Sequence, residues 1–441
     1  MANFVMSLVA LVIVLGIMIL VHEWGHFIVA RLCGVRVEIF SFGFGPRLWG
    51  RKRGDTDYRI SALPLGGYVK MAGDNPSEER AGVSDEFLSK PRWQRALIVL
   101  AGPAMNLVTT VVLFAGILFF VGLPVEAFLL KPVEVAGVLK HSPAAAAGIQ
   151  AGDRIVGINE LQNPTWEQAY ALLVKQAPGS ELRLQVERNG EMVEFKVPVG
   201  ESRAIDTVFG YPKMAAVVDQ VAPGMPAERA GMMAGDQIVE VNGQRVENWY
   251  QVSEAIRGSN GQPLQIVLQR GDRQLHLQIK PVYAPSRGGE MIWQIGMGQR
   301  SERFYRELGL TESVKYGALG SLALGRQIVG IVGQLITRQV SLKELQGVLG
   351  IGREAGRAVK RGPVDFVNLM AVISLNLGIL NLLPIPILDG GHILMLSVEG
   401  IIRRDLSVTV KERFVQVGLV FLLVILAIVM YNDVLRLFPI K

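Results

Sequence analysis

The chain has 441 residues, 50% hydrophobic and 19% charged, and a mean hydropathy of +0.33, too apolar for an ordinary soluble protein of this length. Its net charge of +6 would suit a nucleic-acid partner, but no basic stripe with stacking aromatics is present and no nucleic acid is expected. The single cysteine, Cys33, excludes a disulfide framework.

Four stretches, 4–30, 96–121, 364–383 and 415–430, come close to the roughly 20 apolar residues a bilayer requires. The expected fold is therefore a polytopic α-helical membrane protein with four transmembrane helices and soluble α+β parts between them. The first transmembrane segment, 1–33, has no basic n-region and no small-residue cleavage site, so it is not a removable signal. It is uncharged from Met1 to Val21 and then reads His22-Glu23-Trp24-Gly25-His26. On a helix His22 and His26 lie one turn apart on one face, where two imidazoles can share a tetrahedral zinc ion with Glu23 beside the attacking water as general base. The bland alternative is a coincidental pair of buried histidines, but ionisable groups at membrane depth are costly and usually functional.

The following loop, 34–95, is dense in cations from Arg36 to Arg95, whereas none precedes Phe4, which places this loop in the cytoplasm and the N-terminus outside. Within it, 63–71 reads as a membrane-associated β-hairpin with paired glycines, Gly66 and Gly67, followed by Tyr68. The second span, 96–122, returns the chain to the outside and carries Asn106, which either hydrogen-bonds near the site or packs between helices.

The external section contains a tandem repeat. An offset of 83 residues aligns Ala-Gly-Asp153-Arg-Ile-Val-Gly-Ile-Asn159 with Ala-Gly-Asp236-Gln-Ile-Val-Glu-Val-Asn242, and pairs Pro143 with Pro226 and Trp166 with Trp249. Two small α+β modules are expected, at 123–205 and 206–285. Their shared pattern resembles the PDZ domain, which implies capture of peptide C-termini by strand addition; the alternative is that they only space or plug the membrane site. Val208-Phe209-Gly210-Tyr211, before the second copy, is the candidate carboxylate loop.

The tract 300–362 is amphipathic, with Arg326, Gln327 and Gln334 interrupting its apolar run; a fifth span is the alternative, but a helix lying on the outer membrane face fits better, because a fifth crossing would turn the remaining spans the wrong way round. Lys360 and Arg361 are basic on that outer side, against the usual bias. The third transmembrane segment, 363–395, contains Asn376, Asn381, Pro384, Pro386, Asp389 and His392. A proline-broken helix at membrane depth lines a cavity, and an intramembrane carboxylate needs a cation. A catalytic zinc needs a third protein ligand besides the two histidines. Glu38 is the nearest downstream acid, and Asp389 is the better candidate; His392 joins it only if a helix resumes there. The segment 413–434 is the fourth transmembrane helix.

His-Glu-Trp-Gly-His, Pro64-Leu-Gly-Gly-Tyr-Val-Lys-Met71, Gly102-Pro-Ala-Met-Asn106 and Asn381-Leu-Leu-Pro-Ile-Pro-Ile-Leu-Asp-Gly-Gly391 together resemble the site-2 protease family of intramembrane zinc metalloproteases, over essentially the whole chain. The resemblance implies Zn2+ held by His22, His26 and Asp389, Glu23 as catalytic base, and Asn376, Asn381, Pro384 and the strand at Gly66, Gly67 and Tyr68 as substrate-binding. It also implies a bacterial inner-membrane location with both termini and the PDZ-like modules periplasmic. The implied partners are the lipid bilayer and single-span proteins such as a clipped anti-sigma factor or remnant signal peptides. Two rivals are a non-catalytic membrane-anchored PDZ scaffold and a metal transporter; the latter has too few intramembrane ligands and no inverted repeat.

Overall fold

The computed structural model describes residues 2–75, 82–200, 205–285, 291–299, 302–337 and 347–437. The chain forms two compact units, one of residues 1–122 with 307–441 and one of Leu123–Arg306.

The first unit opens with α1 (Ala2–Leu32), then the strands β1 (Val37–Arg53) and β2 (Thr56–Met71), and then α2 (Arg92–Val121). β1 and β2 are joined by a turn at Gly54, with φ of 60°, and residues 39–42 of β1 pair both with 57–60 and with 67–70 of β2. β2 therefore reverses between 61 and 67, so the expected hairpin at 63–71 is the end of a larger ribbon folded back on itself. This double pairing, with register shifts between Phe42 and Trp49, hides the ribbon's period in the sequence. Small residues allow α1 and α2 to cross closely: a Cβ on Gly25 would sit inside the Ala101 backbone.

The second unit begins with β3 (Leu123–Glu126), β4 (Val133–Gly137), α3 (Pro143–Ala147), β5 (Arg154–Ile158), β6 (Leu161–Gln162), α4 (Trp166–Lys175), β7 (Glu181–Arg188) and β8 (Glu191–Pro198). After α5 (Ile205–Val208), β9 (Tyr211–Pro212) returns to pair with β4, giving the order β8-β7-β5-β4-β9 with β6 on β5. Val208 and Phe209 are fully buried in this first core, around Trp166. Residues 205–212 therefore complete the first module rather than begin the second, and the candidate carboxylate loop belongs to the first.

The second module repeats the plan with β10 (Val218–Val221), α6 (Pro226–Arg229), β11 (Gln237–Val241), β12 (Gln244–Arg245), α7 (Trp249–Arg257), β13 (Leu264–Arg270) and β14 (Arg273–Ile279). Then come β15 (Val282–Pro285), β16 (Met291–Gln294) and β17 (Met297–Gln299). β17 pairs with β10 as β9 pairs with β4, so this module runs past the expected end at 285. Gly296, at φ 81°, stands before β17 as Gly210, at φ 80°, stands before β9.

The repeat has a physical basis in its turns. Asp153 and Asp236, both buried, each take a two-pronged ion pair from an arginine on a later strand, Arg188 and Arg270, with closest approaches of 2.7 Å. Asn159 and Asn242 adopt positive φ, and each side chain accepts a backbone N–H from the neighbouring strand. Finally β18 (Arg303–Arg306) pairs with β3, so the unit's two ends leave side by side.

The chain then re-enters the first unit as α8 (Leu310–Ile336), α9 (Val348–Arg361), α10 (Pro363–Asn381), α11 (Asp389–Ile402) and α12 (Val408–Leu437). Within the tract 300–362 the described part resolves into β18, α8 and α9, while 300–301 and 338–346 lie outside the described residues. Five helices among the described residues are long and apolar enough to cross a membrane: α1, α2, α8, α10 and α12. The fifth beyond the four expected is α8, which has the lowest mean hydropathy, 1.2. α10 packs along α2, where Ser374 Oγ donates to Asn106 O at 2.9 Å and Gly378 sits against Pro103 and Leu107.

Candidate metal centre

α1 delivers both histidines, and α2 orients them. His26 Nδ1–H donates to the carbonyl oxygen of Ile98 at 2.8 Å, which leaves Nε2 as the free lone pair of the ring. His22 Nε2 lies 3.2 Å from His26 Nε2. Asp389, the first residue of α11, completes the group, with Oδ2 3.1 Å from His22 Nε2 and Oδ1 3.5 Å from His26 Nε2. The three donor atoms all lie within 4.8 Å of one another. Ligands about 2.0–2.2 Å from a tetrahedral ion stand roughly 3.3 Å apart, so this spacing fits zinc.

The outer partners agree. The Asn106 side chain, fully buried, faces His22 Nδ1 at 3.3 Å, and its Oδ1 has no hydrogen-bond partner. When His22 uses Nε2 as a ligand, Nδ1 keeps its proton. Turning the Asn106 amide then sets Oδ1 as the acceptor and avoids two N–H groups facing each other. Gly102, on the same face of α2, brings that helix against both rings, since a Cβ there would collide with His26 Nε2 and lie 2.8 Å from His22 Cε1.

Asp389 arrives by a break in the chain. α10 stops at Asn381, and residues 382–388 turn back before α11 starts. Ile387 holds φ 80°, a strained value for a β-branched residue. Gly390 and Gly391 nest against the carbonyls of Leu382, Leu383 and Ile385, where no Cβ fits.

The strand β2 covers the other side. Val69 offers its backbone N–H to the Glu23 carboxylate. A Cβ on Gly67 would lie 3.3 Å from Glu23 Cγ and 2.8 Å from Ser41 O, so glycine is what lets the strand approach. Gly66, at φ 140°, lies under the Phe44 ring, and Phe44 stacks on Tyr68, whose hydroxyl accepts from Arg59.

A cavity of about 790 Å³ joins these groups: His22, Glu23, His26, Tyr68, Asn381 and Asp389 all line it. Asn381 Nδ2 stands 3.3 Å from His22 Nε2, beside the metal position itself. Asn376 instead donates to Val372 O on its own helix, and Pro384 is exposed in the break, so neither joins the group. A helix does resume at His392, which lines the cavity without entering the ligand set. Glu38 pairs with Lys70 at 3.6 Å. Gly25, Gly102 and the Ile98 carbonyl were not singled out from sequence. The two glycines sit inside quoted motifs, but a backbone carbonyl leaves no sequence signal.

Comparison with known proteins gives one consistent result. Residues 10–425 match Peptidase family M50. The chain is 32% identical over 458 residues to the regulator of sigma-E protease RseP of Escherichia coli K12, covering 99% of this chain and 100% of that protein. It is also 32% identical over 461 residues to a Vibrio cholerae protein carrying a provisional name as a zinc metalloprotease, with 99% and 100% covered. Among solved structures, the PDZ domain of an SdrC-like protein from Listeria monocytogenes matches 19% of this chain and 86% of its own at 24% identity, with a TM-score of 0.17.

Proposed function

Because this chain belongs to peptidase family M50 and is a site-2-type zinc metalloprotease, we propose that it hydrolyses a peptide bond within the transmembrane segment of single-span membrane proteins, an already clipped anti-sigma factor or a remnant signal peptide. The observation that carries this reading is the convergence of His22, His26 and Asp389 beside Glu23, on helices apolar enough to cross a bilayer.

Zinc held by these three side chains would polarise the scissile carbonyl and make water a stronger acid. Glu23 takes the proton from the attacking water and delivers it to the leaving amine nitrogen. Its position is set by the Val69 N–H and the glycine at 67. Helical substrates hide their carbonyls in their own hydrogen bonds, so an unwound stretch must pair elsewhere; the free edge of β2 offers that pairing, with Tyr68 facing the cavity. Asn381 lies where it can hold a substrate carbonyl next to His22.

The cations between Arg36 and Arg95 support a cytoplasmic hairpin and periplasmic modules in a bacterial inner membrane. We place α8 along the outer surface rather than across it, since a fifth crossing would invert α10 and α12. The modules then act as PDZ-like size filters, admitting substrates whose outer domain is gone. Removing residues 127–302, between β3 and β18, should broaden cleavage to uncut substrates; unchanged selectivity would reject the filter.

The deciding experiment is cleavage of a tagged single-span substrate by purified protein in detergent, with zinc measured in wild type and Glu23→Gln. Loss of cleavage by at least about 10²-fold with zinc retained supports the assignment. Cleavage surviving in the variant would refute it.

A further inference from the structure

The chain break that creates the metal site also creates a mechanical problem. Asp389 is the first residue of α11, and residues 382–388, with two prolines and the strained Ile387, separate it from α10. α11 therefore takes no rigid position from the helix before it. Its placement must come from its own contacts, and it packs on α2, the helix that supplies the Ile98 carbonyl, Gly102 and Asn106 to the two histidines.

At the far end of α11, Glu399 is only 1% exposed. Its Oε1 accepts from Lys411 Nζ on α12 at 2.7 Å and from the Leu406 backbone N–H at 3.0 Å. Its Oε2 lies 3.9 Å from Nη1 of Arg95, which is 5% exposed and stands on α2 three residues before Ile98. Arg95 and Arg92 both reach Asp405, at 3.7 and 2.8 Å, in the turn between α11 and α12. Glu399 Oε2 and Arg95 Nε are left without hydrogen bonds. Two cations from two helices converge on one buried carboxylate, and buried charges of this kind set register more than they add stability.

We infer that Glu399 is a positioning residue for the metal ligand Asp389: paired with Arg95, it fixes α11 in axial register on α2, about 15 Å along the helix from the ligand. The pair ties α11, which carries Asp389, to α2, the helix that orients the histidines of α1. A slip of about 1 Å at such a site costs on the order of 10²-fold in rate. This rests on the proteolytic reading for its consequence but not for its test, because the metal geometry is measurable without substrate.

The experiment compares wild type, Glu399→Gln and Asp433→Asn as full-length protein in detergent. Asp433 accepts three backbone N–H groups at the start of α9, those of Gly347, Leu349 and Gly350, and touches none of the site. It is the control for lost stability alone. Zinc affinity is read by chelator competition, and ligand geometry by the visible spectrum of the Co2+-loaded protein. Glu399→Gln should bind zinc at least about tenfold more weakly and shift the Co2+ bands, with kcat reduced and KM held. Asp433→Asn should lower the Tm and leave both metal readouts at wild-type values. Wild-type zinc affinity and Co2+ spectrum in Glu399→Gln, or the same changes in Asp433→Asn, would overturn the inference. If Glu399→Gln fails to fold, the Arg95→Leu/Glu399→Leu pair removes both charges, and an unshifted Co2+ spectrum there also overturns it. Wild-type protein that binds Co2+ but cleaves nothing would sink the proteolytic reading while leaving this test intact.

Discussion

Gly102→Ala weighs catalysis against stability, because the atoms nearest the added methyl all belong to the two histidines. The new carbon would overlap His26 Nε2 and lie 2.6 Å from His26 Cε1 and 2.8 Å from His22 Cε1, against an ordinary contact of about 3.5 Å. Something must move by roughly 1 Å. α2 cannot yield cheaply, since Gly25 already lies on the Ala101 backbone and Gly378 on Pro103. The rings therefore turn, and a displacement of this size is expected to reduce kcat/KM by about 10²-fold, or ~2.7 kcal/mol of transition-state stabilisation. Overpacking costs about 1–3 kcal/mol in stability, offset by the roughly 0.5–1 kcal/mol that alanine gains over glycine in a helix. The variant should stay folded, with Tm only modestly lowered, while zinc affinity and cleavage fall together. Cleavage of the model substrate and chelator competition on the same preparation decide it. An alanine variant that binds zinc and cleaves within about threefold of wild type would show that the histidines do not lie against α2 as described.

Asn106→Leu removes the partner of His22 Nδ1 and should weaken zinc by about 10–100-fold with the helix packing largely kept, as read by chelator competition. In the second module, burial pushes the Asp236 carboxyl up, but the Arg270 guanidinium and the Met233 N–H outweigh it and hold the carboxyl below its usual range. A depressed folded value means that this contribution is complete above about pH 3.9 and is lost as pH falls through the folded value. Acid unfolding of the module, followed by tryptophan fluorescence of the full chain, should therefore lose part of its pH dependence in Asp236→Asn. Burial, with nearby Asp206, pushes the Tyr211 hydroxyl up to about 12. Its contribution is complete below about pH 10 and disappears as pH rises toward 12, so Tyr211→Phe should flatten the alkaline limb of a stability profile.

How far the sequence could be read depended on whether a feature repeats in side chains or resides in backbone. His22, Glu23 and His26 were legible because three rare ionisable residues stand at helical spacing in a lipid-soluble run. Asp389 was legible because a carboxylate beyond two prolines at membrane depth needs a cation. The tandem modules were legible from Asp153 and Asp236, and the arginine pairs these buried aspartates make show why those turns recur. Their ends were misjudged because β9 and β17 span only two and three residues, too few to carry an alternating pattern. Only the end of the β1–β2 ribbon was legible, because residues 39–42 pair twice and leave no single alternating period. Asn376 and Pro384 carried no spatial information beyond their motif. Gly25 and Gly102 matter by what they lack, and within an apolar helix a glycine at a crossing is spelled like any other.

The two-residue strand β9 has a consequence for how the unit of Leu123–Arg306 can respond to load. It completes the sheet of the first module, yet it lies in the stretch of chain that leads into the second. Tyr211 of that strand packs its ring at a tilt against Tyr250 of α7, and the Tyr250 hydroxyl donates to Val138 O at 2.8 Å. The joint between the modules is thus made of structural parts of both. A pull that separates them must first unzip an edge of the first sheet and bare the ring of Tyr250. The two modules part only by breaking both, and the place to add slack without dismantling them is outside β3 and β18.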